Sequence, residues 1–241
     1  MSVFRFKKFE IRNERSPMKV NTDGVLLGAA VTLTKDIKKA VDVGTGTGTV
    51  ALMVAQRLSE MGMKDFSILG VDIDSPSAEE ASENFAASPW KGNLSAELAA
   101  LSELERRDSH YDLIVSNPPY FDNSLHNPDE RKNTARHTSE GGLSYRTLIE
   151  YASKKLTENG LLSMILPYSE RRAILRYAAS FGLYPSRILS IRTTERKEPS
   201  RMIAEFSLKR ADTLEEDLII YKNGAASEEY RSITNQFYIN Q

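Results

Sequence analysis

The stretch Tyr111–Phe121, YDLIVSNPPYF, limits what this chain can fold into more than any other. Its polar and apolar residues first alternate and then become continuously apolar, as in a strand buried on both faces. Two prolines then stop it. A proline donates nothing to a sheet ladder and biases the residue before it toward an extended backbone. The strand therefore ends at Asn117, with the side-chain amide at its carboxyl end. In open α/β sheets ligands bind beyond that end. Pro118 and Pro119 fix two φ angles, the Pro118 carbonyl faces outward, and the aromatic pair Tyr120-Phe121 follows. An amide, a carbonyl and a flat ring held rigidly can grip a planar group bearing an NH2. An isolated Asn-Pro-Pro is more often just a rigid turn. The tyrosine after it and a glycine-rich loop upstream favour a site.

That loop is Asp42-Val43-Gly44-Thr45-Gly46-Thr47-Gly48, between a short apolar strand, Lys39–Val43, and a helix predicted over Thr49–Met61. Gly44, Gly46 and Gly48 permit a tight turn and close backbone approach to a ligand at a helix N-terminus, with Thr45 inside the turn. The pattern alone is weak, because dehydrogenases carry a related one. Two details sharpen it. Asp42 precedes the loop, where it can orient the turn or receive an ammonium. The next strand, Phe66–Val71, ends at Asp72 with Ile73 after it, and an acid about 20 residues beyond the glycines suits a ribose diol. Asp74 is predicted to cap a helix over Ser77–Ala87, with Pro76 near its start.

Asn-Pro-Pro-Tyr with such a loop upstream resembles motif IV of the S-adenosylmethionine (SAM) dependent amino-methyltransferases, which modify adenine N6, guanine N2 or glutamine N5. The resemblance implies SAM as cofactor, with Asp42 toward its methionine ammonium and Asp72 and Ile73 toward its ribose. It also implies Asn117, Pro118 and Tyr120 as the catalytic group. The fold it implies is a Rossmann-like α/β domain, a mostly parallel seven-stranded sheet with an antiparallel edge hairpin and helices on both faces. One departure stands out. In many SAM enzymes the third strand, here Leu94–Ala100, ends in an acid or amide that binds the adenine amino group. That position falls near Ala100, where no acid stands.

The remaining segments fill out this plan. Phe4–Ile11 alternates large apolar residues with charge, as a hairpin arm or lid strand would. Met18–Gly24 leads into an apolar helix, Val25–Leu33, with Thr22 and Asp23 as candidate N-caps and free N–H groups for a ligand carboxylate. A short helix, Ser102–Arg107, precedes the central strand. Asp122–Gly142 is polar and aperiodic, the mark of a functional loop. It reads as a substrate lid in which Arg131, Arg136 and His137 contact phosphate or base, although a solvated loop with incidental charge has the same composition. A helix over Ser144–Leu156 should end at Asn159-Gly160. The strand Leu161–Leu166 follows, then a helix over Glu170–Phe181 capped by Ser169. Leu183–Ile191 and Arg201–Leu208 are close enough to pair as the antiparallel edge hairpin. Arg171 and Arg172 open the preceding helix, and the hairpin carries Arg187, Arg192, Arg196, Lys197 and Arg201. Such a charge run is usually a solvated face, but here it falls on the expected substrate edge, where it would meet RNA phosphates. Leu218–Tyr221 is predicted as a short strand and Glu228–Tyr238 as a closing helix.

Cysteine is absent, which excludes disulfides and thiolate metal sites and fits a cytoplasmic protein. The three histidines lack metal-site spacing, so no metal is expected. A net charge of −1 argues against a uniformly basic nucleic-acid binder and leaves room for a local basic face. No apolar run reaches membrane-spanning length, and MSVFRFKKFE lacks the apolar core of a signal peptide. One domain spanning residues 1–241, acting as a monomer, is the expectation, with residues 1–38 as an arm covering the cofactor.

The resemblance then widens to most of the chain. FRFKKFEIRNERSPMKVNTDGVLLGA, VDVGTGTG, SNPPYF, ARHT and YRSITNQFYI together resemble the bacterial tRNA1(Val) (adenine-37-N6) methyltransferases. This implies that Lys19, Thr22 and Gly24 line the SAM pocket, that Phe121 packs beneath the base on which Tyr120 stacks, and that the partner is the tRNA anticodon loop. Glutamine methyltransferases share the core but place a helical substrate domain before it, for which residues 1–38 are too few. Guanine-N2 enzymes of rRNA usually duplicate the domain. A protein or other small-substrate N-methyltransferase remains an alternative, as does a SAM- and RNA-binding module without turnover.

Overall fold

A computed structural model describes residues 2–119 and 142–239. Tyr120, Phe121, Arg131, Arg136 and His137 lie outside the described residues. In chain order the elements are β1 (Val3–Arg5), β2 (Glu10–Arg12), α1 (Thr22–Ala30), β3 (Lys39–Val43), α2 (Thr49–Glu60), β4 (Ser67–Asp72) and α3 (Ser75–Ala87). Then come β5 (Leu94–Leu98), α4 (Leu101–Glu105), β6 (Tyr111–Ser116), α5 (Tyr145–Lys155) and β7 (Leu156–Pro167). A 3-10 turn (Tyr168–Glu170) leads into α6 (Arg171–Ser180), followed by β8 (Tyr184–Thr194), β9 (Arg201–Ser207), β10 (Leu214–Lys222), β11 (Ala225–Ala226) and α7 (Glu228–Thr234).

β1 and β2 pair as a hairpin of their own, and the other described strands form one sheet in the order β11-β10-β8-β9-β7-β6-β3-β4-β5. β3 to β7 run parallel, while β9 is antiparallel to both β7 and β8. The centre is buried on both faces because side chains alternate along each strand. In β6, Leu113 and Val115 enter the core shared with α1, α2 and α3, and Ile114 enters the core shared with α4, α5 and α6. The domain is thus three layers, with a helical layer on each side of the sheet.

Several local expectations shift. The cap of α1 is Asn21, whose side chain accepts the Gly24 N–H at 2.9 Å, while Thr22 and Asp23 sit in the first helical turn. Asn159-Gly160 does not end α5. It lies within β7, where the pairing with β6 slips so that Leu156 faces Tyr111 and Leu161 faces Leu113. Gly160 is required there, because a Cβ would come within 2.7 Å of the Tyr111 carbonyl oxygen. Ser169 lies in the 3-10 turn and caps nothing.

The larger difference is at the sheet edge. The described sheet has nine strands rather than seven, and the β8–β9 hairpin is not its border, because β10 adds in parallel outside β8 and β11 outside β10. The acidic run before Leu218 looks like loop from its charge. It is strand because its carboxylates meet cations of the neighbouring elements: Glu216 meets Arg187, Asp217 meets Arg192 and Glu215 meets Arg171.

Glu205, on β9, is a charged side chain fully inside this sheet. Its carboxylate accepts the Thr32 N–H at 2.7 Å and the Thr32 hydroxyl at 2.6 Å. Arg187 approaches it at 3.5 Å while donating to the Ala30 carbonyl at 2.8 Å. Together these tie the C-terminal end of α1 to the sheet. Burial pulls the nearby Arg57 guanidinium down to about 10, against the opposing field of Glu205. Removing one member of a buried ion pair strands its partner's charge. Glu205→Ala is therefore expected to destabilise the protein by about 3 kcal/mol or more, read from urea unfolding. A loss within the scatter of surface substitutions would show that the pair is not coupled to folding.

Candidate active site

The glycine turn leaves β3 and enters α2 at the carboxyl edge of the sheet. Gly44, Gly46 and Gly48 all take positive φ (72°, 55° and 81°). At Gly48 the close approach is also obligatory, since a Cβ would sit 2.4 Å from the Phe85 ring. The turn is held from below by two carboxylates. Asp42 accepts the Thr45 hydroxyl at 2.8 Å. Asp72 accepts the Gly46 N–H at 2.9 Å on one oxygen and the Asp74 N–H at 3.0 Å on the other. The Asp74 side chain takes the Ser77 N–H at 3.0 Å as the N-cap of α3.

β6 delivers Asn117 to the same place. The Ser116 hydroxyl donates to the Val43 carbonyl at 2.7 Å, fastening the end of β6 to the end of β3. One pocket is consequently lined by Asn117 and Asp42, by the glycine turn, by Thr49 and Val50 of α2, and by Met18, Lys19, Asn21 and Gly24. A buried carboxylate beside backbone N–H groups of a turn and a helix start is a donor and acceptor set for a zwitterionic amino-acid moiety. That set fits SAM.

The segment bringing Met18 and Lys19 over the pocket is fastened by one face of α3. Glu80, itself buried, accepts three consecutive backbone N–H groups, those of Glu14 (2.7 Å), Arg15 (3.0 Å) and Ser16 (3.0 Å). Asn84 accepts the Arg12 N–H at 2.8 Å and donates to the carbonyls of Arg12 (3.0 Å) and Thr47 (2.9 Å). Asn84 thus joins the strap and the glycine turn through one amide. The Ser77 hydroxyl donates to the Ser16 hydroxyl at 2.9 Å. Sequence reasoning missed Glu80 and Asn84, which look like an ordinary helix face because their partners are remote in sequence.

Among the residues expected at the cofactor, Gly24, Asp42, Gly44, Thr45, Gly46, Lys19 and Asn117 line the pocket. The Lys19 ammonium donates to the Glu14 carbonyl at 2.6 Å. Gly48 is the N-cap of α2. Asp72 supports the turn, Ile73 follows it as an exposed side chain, and Thr22 is exposed. Position 100 itself carries no acid; Glu97, within β5, pairs with Arg107 at 2.8 Å, and the Glu103 carboxylate takes the Ala100 N–H at 2.8 Å. Of the expected RNA cations, Arg171 pairs with Glu215, Arg192 with Glu198 and Asp217, and Arg201 with Asp23. Arg196 and Lys197 are exposed on the β8–β9 connection.

Residues 40–142 match the family model of a methyltransferase domain. The fold aligns with a solved structure described as a predicted O-methyltransferase from Agrobacterium tumefaciens, at a TM-score of 0.67 and 20% identity over 89% of this chain and 96% of that one. Sheet order, glycine turn and domain model together define a class I SAM-dependent methyltransferase. Two curated relatives are nearer in sequence, both named tRNA1(Val) (adenine(37)-N6)-methyltransferase. One, from Bacteroides fragilis, is 38% identical over 98% of this chain and 97% of its own length. The other, from Flavobacterium psychrophilum, is 35% identical over 98% of this chain and 99% of its own. The chain belongs to the tRNA1(Val) (adenine(37)-N6)-methyltransferase family. Among the described residues no helix is long and apolar enough to cross a membrane, and no three potential ligands cluster to hold a metal.

Glu80→Gln keeps the size of the side chain but turns one acceptor oxygen into a donor, so a strap N–H is opposed. SAM affinity is expected to fall about tenfold, within the range for losing a hydrogen bond to a charged group, with the fold retained. Calorimetry with SAM and a thermal melt would test this, and unchanged affinity would dissociate the strap from cofactor binding. The pocket should also respond to pH. Burial raises the Asp42 carboxyl from its ordinary 3.8 to about 7, opposed by the bond from the Thr45 hydroxyl and aided by the charge of Asp72. The folded apoprotein then holds a proton that the unfolded chain releases, so this group's contribution to stability is lost as pH rises from 3.8 to about 7. If Asp42 takes the ammonium it must be ionised, and SAM affinity should climb from about pH 6 to about pH 8 and then level. Asp42→Asn should abolish that climb.

Proposed function

We propose that this protein methylates the exocyclic N6 amine of adenosine 37, in the anticodon loop of tRNA1(Val). The observation that supports the reading best is the shared pocket: Asn117, at the proline-stopped end of β6, lines the same cavity as the glycine turn. A base amine brought to that edge meets an amide oxygen beside the cofactor's reactive end.

Adenine N6 is a poor nucleophile because its lone pair is delocalised into the ring. The Asn117 side-chain oxygen and the Pro118 carbonyl accept its two hydrogens. This favours a tetrahedral nitrogen, frees the lone pair from the ring and stabilises the positive charge that develops there, the cationic counterpart of an oxyanion hole. SAM supplies an electrophilic methyl on a sulfonium. The strap held by Glu80 and the turn held by Asp42 and Asp72 fix the pocket, so alignment of the reacting groups provides further acceleration. The extra proton on the methylated nitrogen passes to water, and no dedicated base is needed. In this reading Tyr120 stacks on the base and Phe121 packs beneath it. Arg131, Arg136 and His137 belong to a substrate lid, and Arg196 and Lys197 contact phosphate from the β8–β9 connection. The base leaves the anticodon loop at modest cost because it is already partly single-stranded. The protein acts as a monomer and uses no metal.

The test is direct. Incubation of tRNA with the protein and SAM, followed by nucleoside mass spectrometry, should yield N6-methyladenosine. Methylated protein fractions and unmodified tRNA would overturn the reading. Asn117→Ala is expected to lower kcat about a hundredfold or more, by analogy with loss of one oxyanion-hole group, with the SAM Kd little changed. Near-normal turnover in that variant would remove Asn117 from the chemistry.

A further inference from the structure

The helices on the two sides of the sheet differ in charge. α3 presents Glu79 and Glu83, which meet Arg12 and Arg15 of the strap. On the opposite side, α6 has the sequence RRAILRYAAS and no acid at all, while α5 has a single acid, Glu150, whose carboxylate accepts the Tyr177 hydroxyl.

Arg172 and Arg176 are exposed and pair with no carboxylate among the described residues. One helical turn apart, they stand about 6 Å from each other along the axis. Ile174 and Ala178 are the fully buried side chains of α6, so the arginines face away from the core. At the start of α5, the Arg146 guanidinium lies 4.9 Å from the centre of the ring of Tyr177, the residue after Arg176, and 5.5 Å from that of Tyr145. The two rings meet edge-on at 6.2 Å. Stacking on two aromatic rings holds this guanidinium against the surface.

The position of the patch matters as much as its charge. β7 is the hydrogen-bonded neighbour of β6, so the chain leaving β7 at Pro167 emerges about 5 Å to the side of the strand that carries Asn117. The 3-10 turn Tyr168–Glu170 then starts α6 at that same carboxyl edge. Leu143, just before α5, reaches the glycine turn, where a Cβ on Gly44 would meet it at 2.7 Å. Both helices therefore begin at the carboxyl edge of the sheet that also bears the pocket, and they pack on one side of the sheet.

We infer that Arg146, Arg172 and Arg176 form a phosphate-binding track on which the backbone of the tRNA rests while the target base enters the pocket. The inference rests on the tRNA reading above and adds the side of the domain from which the RNA approaches. It places the strap over α3 on the side facing away from the nucleic acid. The track supplies affinity and orientation and contacts no base, so its removal weakens binding without changing the chemistry.

The test uses the full-length protein, SAM and unmodified tRNA, comparing wild type with R172E/R176E and with R172K/R176K. The charge-reversed protein should show a KM for tRNA raised about tenfold or more, with kcat at saturating tRNA and the SAM Kd within about twofold of wild type. For every arginine that no longer neutralises a phosphate, the dependence of log affinity on log salt should also flatten by nearly one unit. The lysine variant should keep most of the affinity. If charge reversal impairs folding, as seen in its thermal melt, R172A/R176A reads the same salt slope. Wild-type KM and salt slope in a folded variant would overturn the track while leaving the tRNA reading intact. Failure of the wild-type protein to methylate tRNA would overturn both.

Discussion

Two carboxylates under the glycine turn carry the rest of the site. Asp42 and Asp72 stand at the ends of adjacent parallel strands, so the β3–β4 register itself sets the distance between them. Each accepts from the turn, one from a hydroxyl and one from a backbone N–H. The glycines give up conformational freedom to adopt positive φ, and these bonds select one arrangement among many. Asp42 is buried and Asp72 half-buried, and loss of water around each raises its pKa above the ordinary carboxylate value. In Asp42 this creates a group poised near neutrality in the wall of the cavity. Burial beneath the turn thus leaves a carboxylate that is costly to ionise until a cation is placed beside it, even though the bond from the Thr45 hydroxyl favours the charged form.

A second layer of polar contacts builds outward from this. Three successive N–H groups converge on Glu80, an arrangement more usual around a bound anion than around a side chain of the same protein. The bonds allow a segment without regular structure to lie over the pocket as firmly as a strand would. On the other flank, β10 neutralises arginines of β8 and of α6. Charge at the sheet border is partly consumed in holding the border together. Among the described residues, cations without a carboxylate partner remain on the β8–β9 connection and on α6.

The fold was legible wherever chemistry and chain punctuation are local. Asn117-Pro118-Pro119 announces the end of a buried strand, the alternating glycines announce a turn into a helix, and Asp74 caps α3 as its position suggests. Strand β3 needed nothing beyond its apolar run. What sequence did not show depends on partners far along the chain. Glu205 looks like one more charge on a strand until Thr32 is brought to it, and Glu80 looks solvent-facing until the strap arrives. The acidic run opening β10 reads as loop because its identity as a strand comes from cations elsewhere. Arg171, Arg192 and Arg201 show the same dependence from the side of the cations. Nothing local reveals that Glu215, Asp217 and Asp23 lie within their reach.

The β1–β2 hairpin rests on the last part of the described chain. The Lys7 N–H donates to the Phe237 carbonyl at 2.7 Å, and the Phe6 ring packs against those of Phe237 and Tyr238. The strap over the cofactor hangs from this hairpin. Residues 2–20 are therefore seated twice, on α3 through Glu80 and Asn84 and on residues 237 and 238, so elements far apart in the sequence position one segment. A destabilising change around residue 237 would leave the glycine turn intact and loosen the hairpin from which the strap continues, so damage remote from the pocket in sequence would be felt as weaker retention of the methyl donor.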